Sequence, residues 1–338
     1  MSRLLAEWAP QCAVLITWPR PDGDFQADIA AIEACYSAII AEISGDQLVI
    51  VVCHDQALCS GVRRQMQNAG ADLTRITLAK VPNNDVWIRD YGPLSVSDNG
   101  ITRLLDFRFN GWGGKYPHDL DNAVADALSE LGVIAVTTRH HDVVMEGGAL
   151  ETDGQGTLLA TASSLLNPNR NDAEGTERLY RYLENELGLD RLLILQHGHL
   201  EGDDTDGHID TLVRFADVDT IVYQGCDDPA DDHHAGLQAM LEELRALRRR
   251  DGQPYRLVPL PWPQAQHDDE AGRLPLSYAN YLITNSKVLV PIYQDAADAE
   301  ALKVLASVFP RRRVVGIDCR PLVRQRGGLH CATMQLHS

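Results

Sequence analysis

The chain has 338 residues, 44% of them hydrophobic and 23% charged, and a formal net charge of −18. A chain of this length buries a sizeable core, no stretch approaches the roughly 18 uncharged apolar residues of a membrane span, and so acidic a surface repels nucleic acid and anionic membranes while attracting small cations. Seven cysteines, at 12, 35, 53, 59, 226, 319 and 331, without a CxxC pair, argue against a disulfide framework or a thiol-ligated zinc knuckle.

The opening MSRLLAEWAPQ lacks a signal peptide's apolar run, so the expected location is the cytoplasm. CAVLIT (12–17) reads as a first strand, and in the segment 25–44 Ile29, Ile32, Tyr36, Ile39, Ile40 and Ile43 repeat at helical spacing. A strand at 47–53 and a helix at 55–69 follow. NNDVWIRDYGP (83–93) then gathers two Asp, a Trp, an Arg and a Tyr before a Gly-Pro turn. There Asp90 can cap a turn or pair with Arg89, or it can hold a flat cation beside an aromatic plane.

Beyond a helix at 119–131, EGGALETDGQGTLLAT (146–161) reads as a hairpin turning at DGQG, with Glu146 as strand entry ahead of two glycines that permit close backbone packing. A helix at 172–187 and a strand at 191–196 precede DGHIDTLVRF (206–215). Read as a strand, this run places His208, Asp210, Leu212 and Arg214 on one face, so His208 has a carboxylate beside it as a general acid or base requires. As a bare pair, His208 and Asp210 fit a structural hydrogen bond equally well. A strand at 219–224, a helix at 230–250, a strand at 287–292, a helix at 295–308 and a strand at 312–317 complete the pattern. The proline-rich stretch 254–275 reads as a linker or as a surface loop beside a site.

Strands and helices alternate throughout without a compositional break, which favours one α/β domain over 1–338. Pattern alone does not separate a doubly wound sheet from a circular arrangement. Near the end, RGGLHCATMQ (326–335) carries Cys331 beside His330. Adjacent strand residues point to opposite faces, so a nucleophilic Cys331 looks to His208 for its partner rather than to His330. Two other classes remain open: zinc-dependent hydrolysis through His197 and His199 in LQHGHLEG, and a binding protein without turnover. The pairs His140–His141 and His233–His234 lack metal-ligand spacing.

Taken in order, EWAP (7–10), TWP (17–19), NDVWIRDYGP (84–93), FNGWGG (109–114), EGG (146–148), LLNPNRN (165–171), DDTDGHID (203–210), SYANYLITN (277–285) and GGLHCATMQ (327–335) resemble the agmatine deiminase / bacterial peptidyl-arginine deiminase family of guanidino-group-modifying enzymes. The resemblance implies a five-bladed α/β propeller of pseudo-repeated ββαβ units, a homodimer, and hydrolysis of agmatine to N-carbamoylputrescine and ammonia without metal or organic cofactor. Free or peptidyl arginine is the alternative substrate. By motif, Asp90 and Asp210 would grip the guanidinium, Glu146 would orient His208, and Cys331 would attack the guanidinium carbon, giving a covalent amidino-cysteine. Trp87 and Asp204 would contact the substrate's chain and distal amine.

Three features depart from the family pattern. GGLHC is one residue shorter than the usual Gly-Gly-Asn-Ile-His-Cys, TDGH places Asp206 where Asn is common, and the 254–275 segment differs. The glycines of RGGLHC are expected to let backbone approach the substrate.

Overall fold

The computed structural model describes residues 2–268 and 272–338, with backbone alone over 136–141. The side chains of His140 and His141, and residues Asp269 and Glu270 of the acidic HDDE group, lie outside the described residues.

Among the described residues, five sheets of three or four strands repeat one plan. A first strand pairs antiparallel with a second, and the second pairs parallel with a third reached through a helix, as such a crossover requires. Thus Val213–Phe215 lies antiparallel to Thr220–Gln224, which runs parallel to Arg256–Leu260 across the helix His234–Ala246. Leu282–Ile283, Lys287–Ile292 and Arg313–Asp318 repeat it across Asp298–Val308. Glu151–Thr152, Thr157–Thr161 and Arg191–Leu195 do so across Ala173–Asn185, and Leu94–Asp98, Ile101–Arg108 and Val136–Val144 across Val124–Glu130. The last sheet joins the two ends of the chain. Thr333–His337 pairs antiparallel with Gln11–Thr17, which is followed in parallel by Leu48–Cys53 and Ile76–Lys80.

The periodicity in 25–44 has a direct counterpart. Ile32, Tyr36, Ile39, Ile40 and Ile43 of the helix Ile29–Ser44 are fully buried, each such side chain stabilising the fold by about 1.5–3 kcal/mol. They share a core with Val14, Leu15 and Ile16 from one end of the chain and Met334 and Leu336 from the other. The late segment is therefore tied down, and Ser338 closes it by donating its amide to the Pro10 carbonyl at 2.9 Å. Helices begin where carboxylates cap them: Asp55 accepts from Leu58 N and Asp172 from Gly175 N. No described helix is long and apolar enough to cross a membrane.

Two local expectations are corrected. Residues 206–215 are not one strand: Ile209–Thr211 form a 3-10 turn, and only Val213–Phe215 is extended. Asp203 holds this loop by accepting from Thr205 N and Gly207 N, and the backbone turns left-handed at Asp206 and Gly207. Side-chain capping there overrides the β-branched alternation. The stretch 254–275 is not a linker, since it supplies strand Arg256–Leu260 and buries Tyr255. The 146–161 hairpin does form, with the Asp153 carboxylate accepting from Gln155 N and Thr157 N. Glu146 stands outside its first strand, ahead of the 3-10 turn Gly147–Ala149.

Candidate active site

The five segments that lead into the five first strands carry the chemistry. Asp90 lies in the short helix Ile88–Tyr91 before Leu94, Glu146 before Glu151, His208 and Asp210 before Val213, Asn280 before Leu282, and Cys331 before Thr333. Arg89 and His330, 241 positions apart, thereby become neighbours. Gly148 marks the meeting point. A Cβ there would lie 2.6 Å from His208 Nδ1, 2.7 Å from Asp90 Oδ1 and 3.2 Å from Asp210 Oδ2.

His208 is fully buried, and its Nε2 lies 2.7 Å from Glu146 Oε2, with Nδ1 3.5 Å from Asp90 Oδ1. Its carboxylate partner is thus Glu146, not Asp210 two residues away. Glu146 is held from the other side by Arg170, whose Nε donates at 3.0 Å. Asp206 and Lys115 extend this chain: Asp206 pairs with Arg170, and Lys115 Nζ lies 2.9 Å from Asp206. The unusual Asp206 therefore acts on the Arg170 that clamps Glu146, with no hydrogen bond to His208.

Asp90 accepts from Gly148 N at 2.9 Å and from Trp112 Nε1 at 2.9 Å. Neither Asp90 oxygen is hydrogen-bonded to Arg89, whose guanidinium reaches Gln335, Met334 and the His330 carbonyl. Trp112 reaches Asp90 from a left-handed backbone (φ 54, ψ 46), a conformation costing a bulky residue on the order of 1–3 kcal/mol. The glycines at 111, 113 and 114, all at positive φ, frame that turn.

Asp210 Oδ2 faces His330 Nδ1 at 2.8 Å, while Asp210 Oδ1 has no partner. Cys331 Sγ lies 3.6 Å from Asp210 Oδ2 and 3.3 Å from Asn280 Nδ2. No hydrogen bond joins the thiol to His208, contrary to the partnership the sequence suggests; the resting thiol faces a carboxylate and an amide. His330 and Cys331 lie in a turn ahead of Thr333 rather than in the strand the sequence suggests, and both side chains reach Asp210 Oδ2. Electrostatics follow from this geometry. Burial, then Asp210 and Asp90, push the Cys331 thiol well above its usual range. Burial also opposes charge on His208, but Asp90 and Glu146 outweigh it and carry the imidazole up to about 9. Burial, against the opposing His208 charge, raises Asp90 to about 6.

Because Gly148 leaves no room for a methyl group between three site atoms, Gly148→Ala is expected to lower kcat/KM by about 10²-fold or more. Its melting temperature should move little compared with that loss, since the two site carboxylates and the imidazole can splay apart. A thermal melt beside steady-state kinetics checks this.

A cavity of about 550 Å³ opens above Cys331 and Asp90 and is walled by Trp87, Trp112, Tyr116, Asp85, Asp204 and Arg326, among others. Among the described residues, none of the segment 254–275 lines this cavity. Gly327 lines this cavity, and the two glycines before Cys331 also admit close packing of side chains. A Cβ on Gly327 would strike the Trp87 ring at 2.4 Å, and one on Gly328 the Asn280 Oδ1 at 2.2 Å. Trp87 does line the cavity. Asp204 does too, but its carboxylate is occupied by Arg326 Nη1 at 2.8 Å and the Tyr116 hydroxyl at 2.7 Å. Asp85 also lines it, and no cation pairs with it among the described residues. His197 is spent on Glu243, 2.8 Å away, and no group of three or more metal-ligating side chains is gathered among the described residues.

Sequence reasoning assigned no role to Glu7, Trp112, Arg170, Asn280 or His330. Each sits inside one of the motifs that carried the resemblance, which was the available signal; what each one touches required the fold.

The Porphyromonas-type peptidyl-arginine deiminase family model matches residues 3–336. The agmatine deiminase of Stutzerimonas stutzeri (strain A1501) is 31% identical over 98% of this chain and 94% of its own length. A crystal structure from Porphyromonas gingivalis, provisionally named an arginine deiminase, superposes with a TM-score of 0.92 at 47% identity, covering 100% of this chain and 99% of that one. A cysteine-to-serine variant of C. jejuni agmatine deiminase with substrate bound gives 0.91 at 32% identity, over 100% and 97%. With sequence and fold in agreement along its length, the chain belongs to the Porphyromonas-type peptidyl-arginine deiminase family.

Proposed function

We propose that the protein is a hydrolase of guanidino C–N bonds that deiminates a guanidinium substrate through Cys331, with agmatine the favoured substrate and N-carbamoylputrescine and ammonia the products. The observation that carries this reading is the convergence of Asp90, His208 and Asp210 around one point beneath a cavity that Cys331 also lines. Two carboxylates suit a planar cation that presents paired N–H donors. The capture of substrate by a cysteine-to-serine variant of the C. jejuni enzyme supports a thiol in the reaction. The five-fold repetition of the sheets supports a propeller of five ββαβ blades in one catalytic domain over 1–338.

In the proposed reaction the guanidinium carbon accepts the Cys331 thiolate, and the thiol's proton passes to solvent as the cationic substrate settles. His208, as imidazolium, gives its proton to the departing amino group, so ammonia leaves and a cationic amidino-cysteine remains. Water then attacks the same carbon while neutral His208 takes a proton from it. The C–S bond breaks as the C=O bond forms, and the second water proton goes to solvent. This route draws on no cofactor. Glu146 keeps His208 oriented throughout.

At the far end of the cavity Asp204 is a poor amine site, because Arg326 already neutralises it. Asp85 is better suited: burial carries it up to about 7, and an incoming ammonium would restore its charge. A second reading, deimination of free or peptidyl arginine, draws support from the family model and from the Arg20 and Arg326 guanidiniums at the cavity wall, where a substrate carboxylate would compete with Asp22 and Asp204. The test is to incubate the protein with agmatine, free arginine and an arginyl peptide, and to assay ammonia and ureido product. Agmatine should be preferred, and Asp85→Asn should raise its KM about tenfold, the loss of one charge-assisted contact. Preference for an arginine substrate, with Asp85→Asn neutral, selects the second reading; turnover of none removes both.

A further inference from the structure

Asp90 and Asp210 are equally buried, yet their acidities diverge. Burial dominates at Asp90, which leans on neutral donors from Gly148 and Trp112 and rises to about 6. Burial acts on Asp210 too, but His330 overcomes it and holds the carboxyl below its usual range. The difference lies behind Asp210. His330 directs Nδ1 at Asp210 Oδ2 and Nε2 at Glu7 Oε2, both at 2.8 Å. Glu7 is itself fixed: its Oε1 accepts from Ile283 N at 2.6 Å, and its Oε2 pairs with Arg214. Arg214 is anchored by Glu151 at 2.8 Å and by the Tyr281 carbonyl at 2.7 Å. Every member of this chain is buried, and only Asp210 reaches the site.

We infer that Glu7 and His330 are positioning residues for the deimination: acting through His330, Glu7 holds Asp210 Oδ2 in place and ionised, which leaves Oδ1 free to receive a substrate N–H. The unpartnered state of Asp210 Oδ1 beside a fully engaged Oδ2 is what such a device produces. Lodged between two fixed carboxylates, the His330 ring transmits the fixed position of Glu7 to Asp210 as a rigid spacer. The inference rests on the guanidinium-gripping role proposed above for Asp210.

The charges around the chain are compatible with it. Asp210 faces His330, His208 and Cys331, with Arg214 further off and Asp90 across the site. Glu7 faces Arg214, His330 and Arg89, with Glu151, Arg312 and His337 nearby. Removing the Glu7 charge therefore acts on two close contacts, those with His330 and with Arg214.

The test is Glu7→Gln, which keeps the shape and the acceptor for Ile283 N but removes the charge. The kinetics are taken as full pH profiles with agmatine and arginine. The expected result is a fall in kcat/KM of about 10–10²-fold carried mainly by KM, with kcat little changed. His330→Gln, whose amide still donates to Asp210 but carries no charge, should raise KM in the same way and serves if Glu7→Gln does not fold. A lower melting temperature with KM unmoved would assign the network to stability alone and overturn the inference. Wild-type protein that turns over no guanidine would instead sink the deiminase reading and this inference with it.

Discussion

Cys331→Ala is expected to abolish ammonia release, a loss of at least about 10⁴-fold, while substrate still binds. The thiol is the one nucleophile at the floor of the cavity, and no described group is placed to substitute for it. Wild-type protein quenched during turnover should carry a substrate-derived amidino mass on the peptide containing Cys331, and the variant should not. Full activity in the variant, or an adduct elsewhere, would remove the thiol mechanism. The electrostatics add a condition. Burial together with Asp210 and Asp90 keeps the free thiol protonated, and a guanidinium bound between those carboxylates cancels the field that does so. The thiolate should then form only in the occupied site, so alkylation of Cys331 in the free protein, followed on its own peptide because Cys12 is exposed, should be slow at neutral pH despite the open cavity.

The helices were legible in the sequence because each buries one stripe of residues: Ile32, Tyr36, Ile39 and Ile40 are placed by a period that any reader can count. The site was legible for a different reason. Asp90, Glu146, His208, Asp210 and Cys331 lie in motifs whose order carried the resemblance, and all five come together. The strand drawn through His208 and Asp210 failed because the loop there is set by Asp203 accepting two backbone N–H groups, a local bond pattern that hydrophobic alternation does not encode. Asp204 was favoured for its charge. Its neutralisation by Arg326 depends on two segments 122 positions apart, so no local pattern could reveal it. Likewise the sequence pattern assigned His330 no part beside Cys331, and its place between Asp210 and Glu7 depends on the N-terminal segment returning beside the last strand.

The second large effect concerns His208. His208→Asn should lower kcat/KM by about 10²–10⁴-fold, the range associated with loss of a positioned acid–base group. The wild-type pH profile should be a bell. Below about 6, Asp90 takes up a proton and its grip on the cation is lost; above about 9, His208 gives up the proton that ammonia needs to depart. Because the groups interact, these limbs belong to the cluster rather than to single residues. Glu146→Gln separates the causes. It removes one of the two carboxylates that sustain the imidazolium, so the alkaline limb should move to lower pH by more than the acid limb, which Glu146 also holds up through its charge beside Asp90. Stability carries the same signature with a definite sign. The folded protein holds the His208 proton more tightly than the ordinary imidazole value of 6.5, so this contribution is fully present below that pH and is lost as pH rises through about 9. His208→Asn should therefore flatten the decline in melting temperature across that window. A slope unchanged by the substitution would show that the imidazole is not held as the cation that the proposed ammonia release requires.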